Sequence, residues 1–371
     1  KLNRELEFLP SDEDITERKS LGKRLTRPEL SVLISYVKGD LKEELIDSEL
    51  PDNPYLVSEI NDVFPKQIIK KYKTQLHGHR LRREIISTHV ANDMVNHMGI
   101  SFVERLKQST GATPASISMA YIIARDVFNL SHWWESIEAL DNKVSSELQM
   151  SMMAELMSLM RRACRWLIRN RRSELNVTDN MDKFKKGIAQ ISKSLPSYLI
   201  GSSKETWVQK YETLKDQGVP DDIAEIVAGS SHLYAALGII EAQDEGDGSL
   251  SVVANAYYIL GNRLELIWFG QQINKLTPLT HWQALAREAF REDLDWQQRA
   301  LTVGLLKLKG ASQDIEKRIN VWMEQHEELV ARWQHTLTEF KATEDAEFSM
   351  YSVALRELLD LAQSTVHAVR D

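Results

Sequence analysis

The residues best suited to acid–base or metal chemistry lie around the stretch HGHRLRREIISTHVANDMVN, residues 77–96. His89, Asp93 and His97 follow one another at intervals of four, which places their side chains on one face of a helix. A helical zinc site uses this spacing. The stretch lacks the HExxH arrangement, and the same spacing suits histidines that only form hydrogen bonds. We therefore expect no metal ligand here or elsewhere in the chain.

A second candidate is a row of arginines. Arg161, Arg165, Arg169 and Arg172 lie on successive helical turns beside Trp166. The row fits best a solvated stripe paired with acidic neighbours, and it also allows an anion-binding or docking face, including an effector site for an amino acid or anion. A formal net charge of −8 argues against nucleic acid, because neutralising phosphates requires an excess of basic residues.

Motifs for nucleophilic or cofactor chemistry are missing from the sequence. The segment nearest to a dinucleotide loop, DEGDGSLS at 244–251, has Ser251 at the position of the third glycine, and its acidic residues would repel phosphate. Cys164 is the single cysteine and fits a packed core better than a nucleophile. We expect no catalytic and no cofactor-binding residue in this chain.

The elements that position these residues are helices. In the segment that carries His89, the residues Leu81, Ile85, Thr88, Asn92 and Val95 form one stripe, and Ile86, Val90 and Met94 form a second on the opposite side. This pattern predicts a helix packed on both sides. Asn92 would then need a hydrogen bond to a facing helix.

Helix signals continue along the whole chain and period-2 alternation is nearly absent, so the predicted fold class is all-α. Capping residues support helix starts at Thr26 with Glu29, at Thr280 with Gln283 and at Ser101 with Glu104. The tryptophans are expected to be anchors between helices rather than to line a pocket. They are Trp133, Trp134, Trp207, Trp268, Trp282, Trp296, Trp322 and Trp333.

The polar, turn-rich segment RRSELNVTDNMD, residues 171–182, indicates a boundary between two packed helical units, 1–172 and 173–371. The second unit is predicted to be a bundle that ends in three long antiparallel helices at 281–309, 312–340 and 345–370. Its earlier helices are predicted at 181–195, 205–217, 222–242, 249–260 and 263–276.

No run approaches the roughly 18 apolar residues that a membrane span needs. The chain begins at Lys1 without a signal-peptide pattern, so we expect a fragment of a longer protein. The single cysteine favours a reducing compartment, and we expect a cytoplasmic protein.

Several long strings resemble one family. LTRPELSVLISYVKGDL, LPDNPYL, HRLRREIISTHVANDMVNHMGISFV and IEALDNKVSSELQ are similar to the region that follows the catalytic domain in the large bacterial NAD-specific glutamate dehydrogenases. GVPDDIAEIVA, YYILGNRLEL and HWQALAREAFREDLDWQQRALT resemble the extreme C-terminal part of that family. The resemblance runs in order from about residue 21 to about residue 306.

The resemblance implies a parent enzyme that oxidises L-glutamate to 2-oxoglutarate and ammonium while it reduces NAD. Its catalytic and dinucleotide-binding residues lie N-terminal to this region, so none is carried over and the fragment is expected to be inactive alone. The implied role is structural and regulatory. The expected partners are the enzyme's own catalytic domain and the other subunits of a homo-oligomer.

An alternative is a self-standing helical module without catalysis. It would bind a protein partner through an apolar stripe on the last helix. That stripe consists of Tyr351, Leu355, Leu358 and Ala362.

Overall fold

The computed structural model describes residues 2–173, 175–246, 248–308, 314–343 and 346–367. Within these ranges the chain forms helices and no strand, which confirms the all-α prediction. In chain order the α-helices are α1 (Asp12–Ser20), α2 (Arg27–Ile46), α3 (Ile60–Val63), α4 (Lys66–His77), α5 (Arg82–Met98), α6 (Phe102–Thr110), α7 (Pro114–Val127), α8 (Leu130–Glu138), α9 (Ser146–Asn170), α10 (Val177–Tyr198), α11 (Gly201–Asp216), α12 (Asp221–Leu233), α13 (Ala236–Glu245), α14 (Leu250–Arg263), α15 (Leu266–Lys275), α16 (His281–Leu306), α17 (Ile315–Gln325), α18 (Glu327–Ala342) and α19 (Phe348–His367). Two short 3₁₀ segments, Leu50–Asp52 and Pro54–Glu59, connect α2 to α3.

The chain divides into two compact units. Unit 1 consists of Lys1–Ala124 and Leu167–Asn180, and unit 2 consists of Arg125–Trp166 and Met181–Asp371. The division falls within α7, α9 and α10. The folding boundary expected between residues 172 and 173 stays a prediction.

Unit 1 is built on α5 packed against α2. The two helices are antiparallel, because Lys38 of α2 bonds to Asn96 near the end of α5 while Arg83 at its start donates to the carbonyl of Ile46. The side of α5 that includes Met94 is fully buried. Apolar contacts of this kind supply most of the stability of a helical unit.

The two-sided burial predicted for α5 is confirmed only in part. In the other stripe Val95 is buried, but Leu81 is 54% exposed, Thr88 is exposed, and Ile85 and Asn92 are half-buried. Asn92 therefore does not need the buried partner that the prediction required. The periodicity of a helix identifies its apolar positions, but it does not show which of them a neighbour covers.

The core of unit 2 contains α16, α18 and α19. Phe290 lies near Tyr351, and Gln297 donates a 3.0 Å bond to the carbonyl of Leu355, so α16 and α19 run in the same direction. Arg332 of α18 pairs with Asp360 of α19, while Phe340 contacts Tyr351, so α18 and α19 are antiparallel. These directions agree with the antiparallel order predicted for the three segments.

Two of the predicted long helices are broken. The helix predicted at 222–242 is divided into α12 and α13, whose axes bend by 56°. This bend allows both halves to bury an apolar face. The helix predicted at 312–340 is divided at His326, which stacks on Trp322 and bonds through Nδ1 to its carbonyl. Residues 312 and 313 lie outside the described residues, as do 345 and 368–370 of the last predicted helix.

The caps predicted at Thr26 and Thr280 are confirmed as full capping boxes, with Glu29 and Gln283 returning the bond. Ser101 precedes α6 but its side chain makes no capping bond, so that predicted box is wrong. Each of the confirmed boxes satisfies helix-end N–H groups and contributes about 1 kcal/mol.

In the described part of the chain no single helix is both long and apolar enough to cross a membrane. The bent pair α12–α13 reaches the required length and composition only when its two helices are taken together.

The close approach of α16 and α19 depends on a residue without a side chain. A Cβ atom at Gly304 would overlap Cγ2 of Thr365 and lie 3.3 Å from its carbonyl oxygen. We expect Gly304→Ala to lower the free energy of unfolding by about 1–3 kcal/mol, because packed helices accept extra volume only by moving apart. Urea denaturation measures the change.

Gly238→Ala in α13 is the matched control. A Cβ there meets nothing within 4 Å. Alanine is the better helix former by about 1 kcal/mol, so this variant should be as stable as the parent or more stable. Equal stability of the two variants would contradict the close packing of α16 on α19.

Candidate functional site

The three residues first considered as a metal site do not converge. His97 Nδ1 lies 2.9 Å from Asp93 Oδ1 and 3.0 Å from the carbonyl oxygen of Asp93. The hydroxyl of Tyr121 donates to the other carboxylate oxygen of Asp93 at 2.9 Å. These contacts engage Asp93 and His97 with each other and with α7, and His89 turns elsewhere.

His89 faces a different carboxylate, Glu59, at the end of the second 3₁₀ segment. The distance from His89 Nε2 to Glu59 Oε2 is 3.4 Å. Glu59 is only 3% exposed, and Asp62 of α3 completes a group in which one ligand atom from each residue lies within 4.8 Å of the others. We call Glu59, Asp62 and His89 the unit 1 cluster.

The charges of this cluster act on His89. The hydrogen bond that His89 donates to Glu59 raises the pKa of His89, and the negative charges of Glu59, Asp93 and Asp62 add to this effect. Partial burial opposes it. The cluster therefore favours a positive charge at the imidazole position.

Local packing fixes Glu59 and Asp62 opposite α5. Asn53 accepts a hydrogen bond from the N–H of Tyr55 and starts the second 3₁₀ segment, and Leu56 and Ile60 are fully buried on either side of Glu59. Arg83 anchors the preceding connection through bonds to the carbonyls of Ile46 and Ser48. These contacts hold in place the segment that carries Glu59 and Asp62, opposite His89 on α5.

Arg82 and Arg83 both pair with Asp52. This agrees with the physical requirement that a charged side chain reach water or a carboxylate.

Unit 2 holds a second group of ionisable side chains, centred on Asp295 of α16. The hydroxyl of Tyr234 donates to Oδ2 of Asp295. Burial raises the pKa of Asp295 to about 6, although the bond from Tyr234 and the charges of Arg299 and Arg162 act in the opposite direction. Asp295 therefore exchanges a proton near neutral pH.

The groups around Asp295 respond to the same loss of hydration. Burial holds the pKa of Tyr234 and of Tyr257 well above the usual range, and the nearby charge of Asp295 contributes. Burial, together with the charges of Lys210 and Arg162, lowers the pKa of His232 to about 4. At pH 7 His232 is therefore neutral while Asp295 is mostly ionised.

The arginine row is engaged with the protein itself. Arg165 donates to Glu292 at 2.5 Å, Arg169 to the carbonyl of Ser109 at 2.7 Å, and Arg172 to the carbonyl of Gly111 at 3.4 Å. Arg161 is exposed. The contacts favour the paired stripe over the anion-binding face.

Two further predictions have clear outcomes. Cys164 is fully buried, and burial raises the pKa of its thiol, as expected for a core residue. Most of the tryptophans anchor helices, and the indole N–H groups of Trp322 and Trp333 bond to Thr365 and to the carbonyl of Leu264. Trp282 and Trp296 are exceptions, with 77% and 46% exposure.

The prediction that an apolar stripe on the last helix forms a partner-binding surface is wrong. Its four residues are at most 4% exposed and face the core of unit 2. They are Tyr351, Leu355, Leu358 and Ala362. The segment DEGDGSLS at 244–251 joins the end of α13 to the start of α14, and its Asp247 lies outside the described residues.

Sequence reasoning missed Glu59, Asp62 and Asp295. Asp295 had one available signal, because it precedes Arg299 by four residues on a long helix. Glu59 had none, because its partner His89 is thirty positions away and only the turn between α2 and α3 brings them together.

The described residues thus define an all-helical protein with partly buried ionisable clusters rather than a strand-based nucleotide fold. Residues 22–360 match the family model described as glutamate dehydrogenase, C-terminal. The chain belongs to this family, which confirms the resemblance given by its sequence strings.

Three curated relatives support the same assignment over nearly the whole chain. The NAD-specific glutamate dehydrogenase of Pseudomonas aeruginosa is 50% identical over 369 residues, which cover 100% of this chain and 23% of the relative. The proteins of the same name from Halomonas elongata and Mycobacterium tuberculosis are 45% and 30% identical, over 99% and 98% of this chain and 23% and 22% of the relative. The chain therefore spans less than a quarter of the length of these relatives.

The raised pKa of Asp295 predicts an unusual pH dependence. The pKa of Asp295 in the folded state is about 6, above the ordinary value of 3.8. The protonated carboxyl therefore favours the folded state, and its contribution to the free energy of unfolding is lost as the pH rises from 3.8 through 6. Asp295→Asn should therefore raise the free energy of unfolding at pH 7.5 by up to about 3 kcal/mol, and the gain should disappear near pH 4.

Urea denaturation at the two pH values measures this difference, with the exposed Asp182→Asn as the control. A destabilised Asp295→Asn protein at pH 7.5 would show instead that Arg162 and Arg299 need the negative charge.

Proposed function

We propose that this chain is the structural and regulatory C-terminal portion of an NAD-specific glutamate dehydrogenase. The parent enzyme would convert L-glutamate, NAD and water to 2-oxoglutarate, ammonium and NADH. The observation that carries the proposal is a match over 98–100% of this chain to only 22–23% of relatives bearing that name. The reacting groups and the NAD site would then belong to the remainder of the parent.

A helical body can serve such an enzyme in two ways. Hydride transfer needs a cleft that closes to exclude water and opens to release product, and a rigid body beside the cleft sets the range of that motion. A rigid body can also supply contacts between subunits of a symmetric oligomer. The expected partners are therefore the catalytic portion of the same polypeptide and other subunits, in the cytoplasm.

Exposed apolar residues in the N-terminal part of unit 1 support docking of this kind. Phe8 is 90% exposed and Leu6 is 74% exposed, and Leu21 at the end of α1 is 59% exposed. Phe8 also has a positive φ of 51°, which a bulky side chain rarely adopts without surrounding support. We infer that the catalytic portion of the parent covers this surface, which we call the Leu6–Phe8 patch.

The alternative of a self-standing interaction module has lost its main support, because the stripe on α19 that would bind the partner is buried. The gene distinguishes the two functions directly. A reading frame that continues upstream of Lys1 into a catalytic domain supports the proposal, whereas a start codon near Lys1 supports the alternative.

The decisive experiment is a truncation of the full-length enzyme immediately before Lys1. We expect loss of normal assembly, and at least a tenfold loss of kcat/KM for glutamate-dependent NAD reduction. Size-exclusion chromatography with light scattering and steady-state kinetics measure the two properties. A truncated enzyme with normal assembly, kinetics and effector response would refute the proposal.

A finer test replaces Leu6 and Phe8 by serine in the full-length enzyme. We expect the double variant to impair assembly or activity as the truncation does, because its docking surface becomes polar. Val353→Ser on α19, at a residue 59% exposed, is the control and should leave both properties unchanged. An unaltered double variant would exclude the Leu6–Phe8 patch as the docking surface without excluding the proposed function.

A further inference from the structure

The unit 1 cluster combines donor types that ordinarily bind a metal. His89 contributes an imidazole nitrogen, and Glu59 and Asp62 contribute one carboxylate oxygen each, all within 4.8 Å of one another. Three protein ligands that leave a coordination position open to water are typical of zinc sites with an accessible ion. Asp62 is exposed and Glu59 is buried, so the group has one side open to solvent and one side closed.

The distance between the donors is also that of a metal site. Two ligands of a tetrahedral zinc ion, each bonded at about 2.1 Å, lie about 3.4 Å apart. The distance from His89 Nε2 to Glu59 Oε2 is 3.4 Å, which is long for a hydrogen bond and equals the separation of two such zinc ligands. A cation between the two atoms would fit this separation without a change in the backbone.

Burial of Glu59 adds an electrostatic reason. Glu59 is only 3% exposed, and a carboxylate in such a position attracts a cation more strongly than an exposed one does, because water screens its charge less. The neighbouring Asp62 and Asp93 add further negative charge around the imidazole. The same turn contains a buried amide oxygen, Oδ1 of Asn61, that has no hydrogen-bond partner among the described residues. The region therefore favours a cation, or a hydrogen-bond donor that is itself bound to a cation.

We propose that Glu59, Asp62 and His89 bind a divalent transition-metal ion, with Zn²⁺ the best match. The mixed nitrogen and oxygen donors favour zinc-like ions over Mg²⁺ and Ca²⁺, which prefer six or more oxygen ligands. The ion would tie α5 to the segment between α2 and α4, and its role would be to stabilise unit 1. This site differs from the helical spacing of His89, Asp93 and His97 that the sequence suggested, since Asp93 and His97 bond to each other.

The test uses the 371-residue chain after treatment with a chelator and dialysis. Isothermal titration calorimetry with Zn²⁺ should give one site per chain, and Mg²⁺ should give no heat of binding. A saturating concentration of Zn²⁺ should raise the midpoint of thermal unfolding, because a ligand that binds only the folded state stabilises it. Absence of a one-to-one Zn²⁺ site in the unaltered protein would overturn the proposal.

Variants assign the site to its residues. Glu59→Gln and Asp62→Asn should each weaken Zn²⁺ binding at least tenfold, and circular dichroism confirms that they fold. Asp62 is exposed, so Asp62→Asn keeps the test valid even where Glu59→Gln disturbs folding. His97→Ala removes another half-buried histidine of α5 and should leave binding within twofold of the unaltered protein. Unchanged binding in Asp62→Asn, or a loss in His97→Ala equal to that in Asp62→Asn, would refute this ligand set.

Discussion

The parallel packing of α16 against α19 is the contact on which unit 2 depends. These helices are separated by α17 and α18 in the chain, yet Gly304 allows the backbone of α19 to approach at Thr365. Gln297 and Thr365 are buried in the same interface, where the amide N–H of Gln297 donates to the carbonyl of Leu355 and the hydroxyl of Thr365 donates to the carbonyl of Leu361 in its own helix. The close approach at Gly304 and the hydrogen bond of Gln297 therefore favour one relative position of α16 and α19. An apolar stripe alone would allow several such positions.

Both units contain ionisable groups that are shielded from water. Glu59 in unit 1 and Asp295 in unit 2 both lose hydration, but they are compensated differently. Glu59 faces an imidazole, whereas Asp295 accepts a bond from the neutral hydroxyl of Tyr234. As a result the first cluster favours a bound cation and the second favours a bound proton near neutral pH.

Exposed apolar residues are the feature that the proposed role would use. Phe8 and Trp282 remain at the surface of the described chain. The match to less than a quarter of each relative's length supports the proposal that this chain is one portion of a longer enzyme.

The sequence alone determined the fold class, the caps at Thr26 and Thr280 and the burial of Cys164, because these depend on local periodicity and on short-range hydrogen bonds. Long ordered strings such as LTRPELSVLISYVKGDL also indicated the family. Only the tertiary structure decided which face of α5 is covered, where the long helices break, and that His89 meets Glu59. Those outcomes arise from contacts between residues far apart in the chain, and helical spacing contains no information about the partner that a given face will meet.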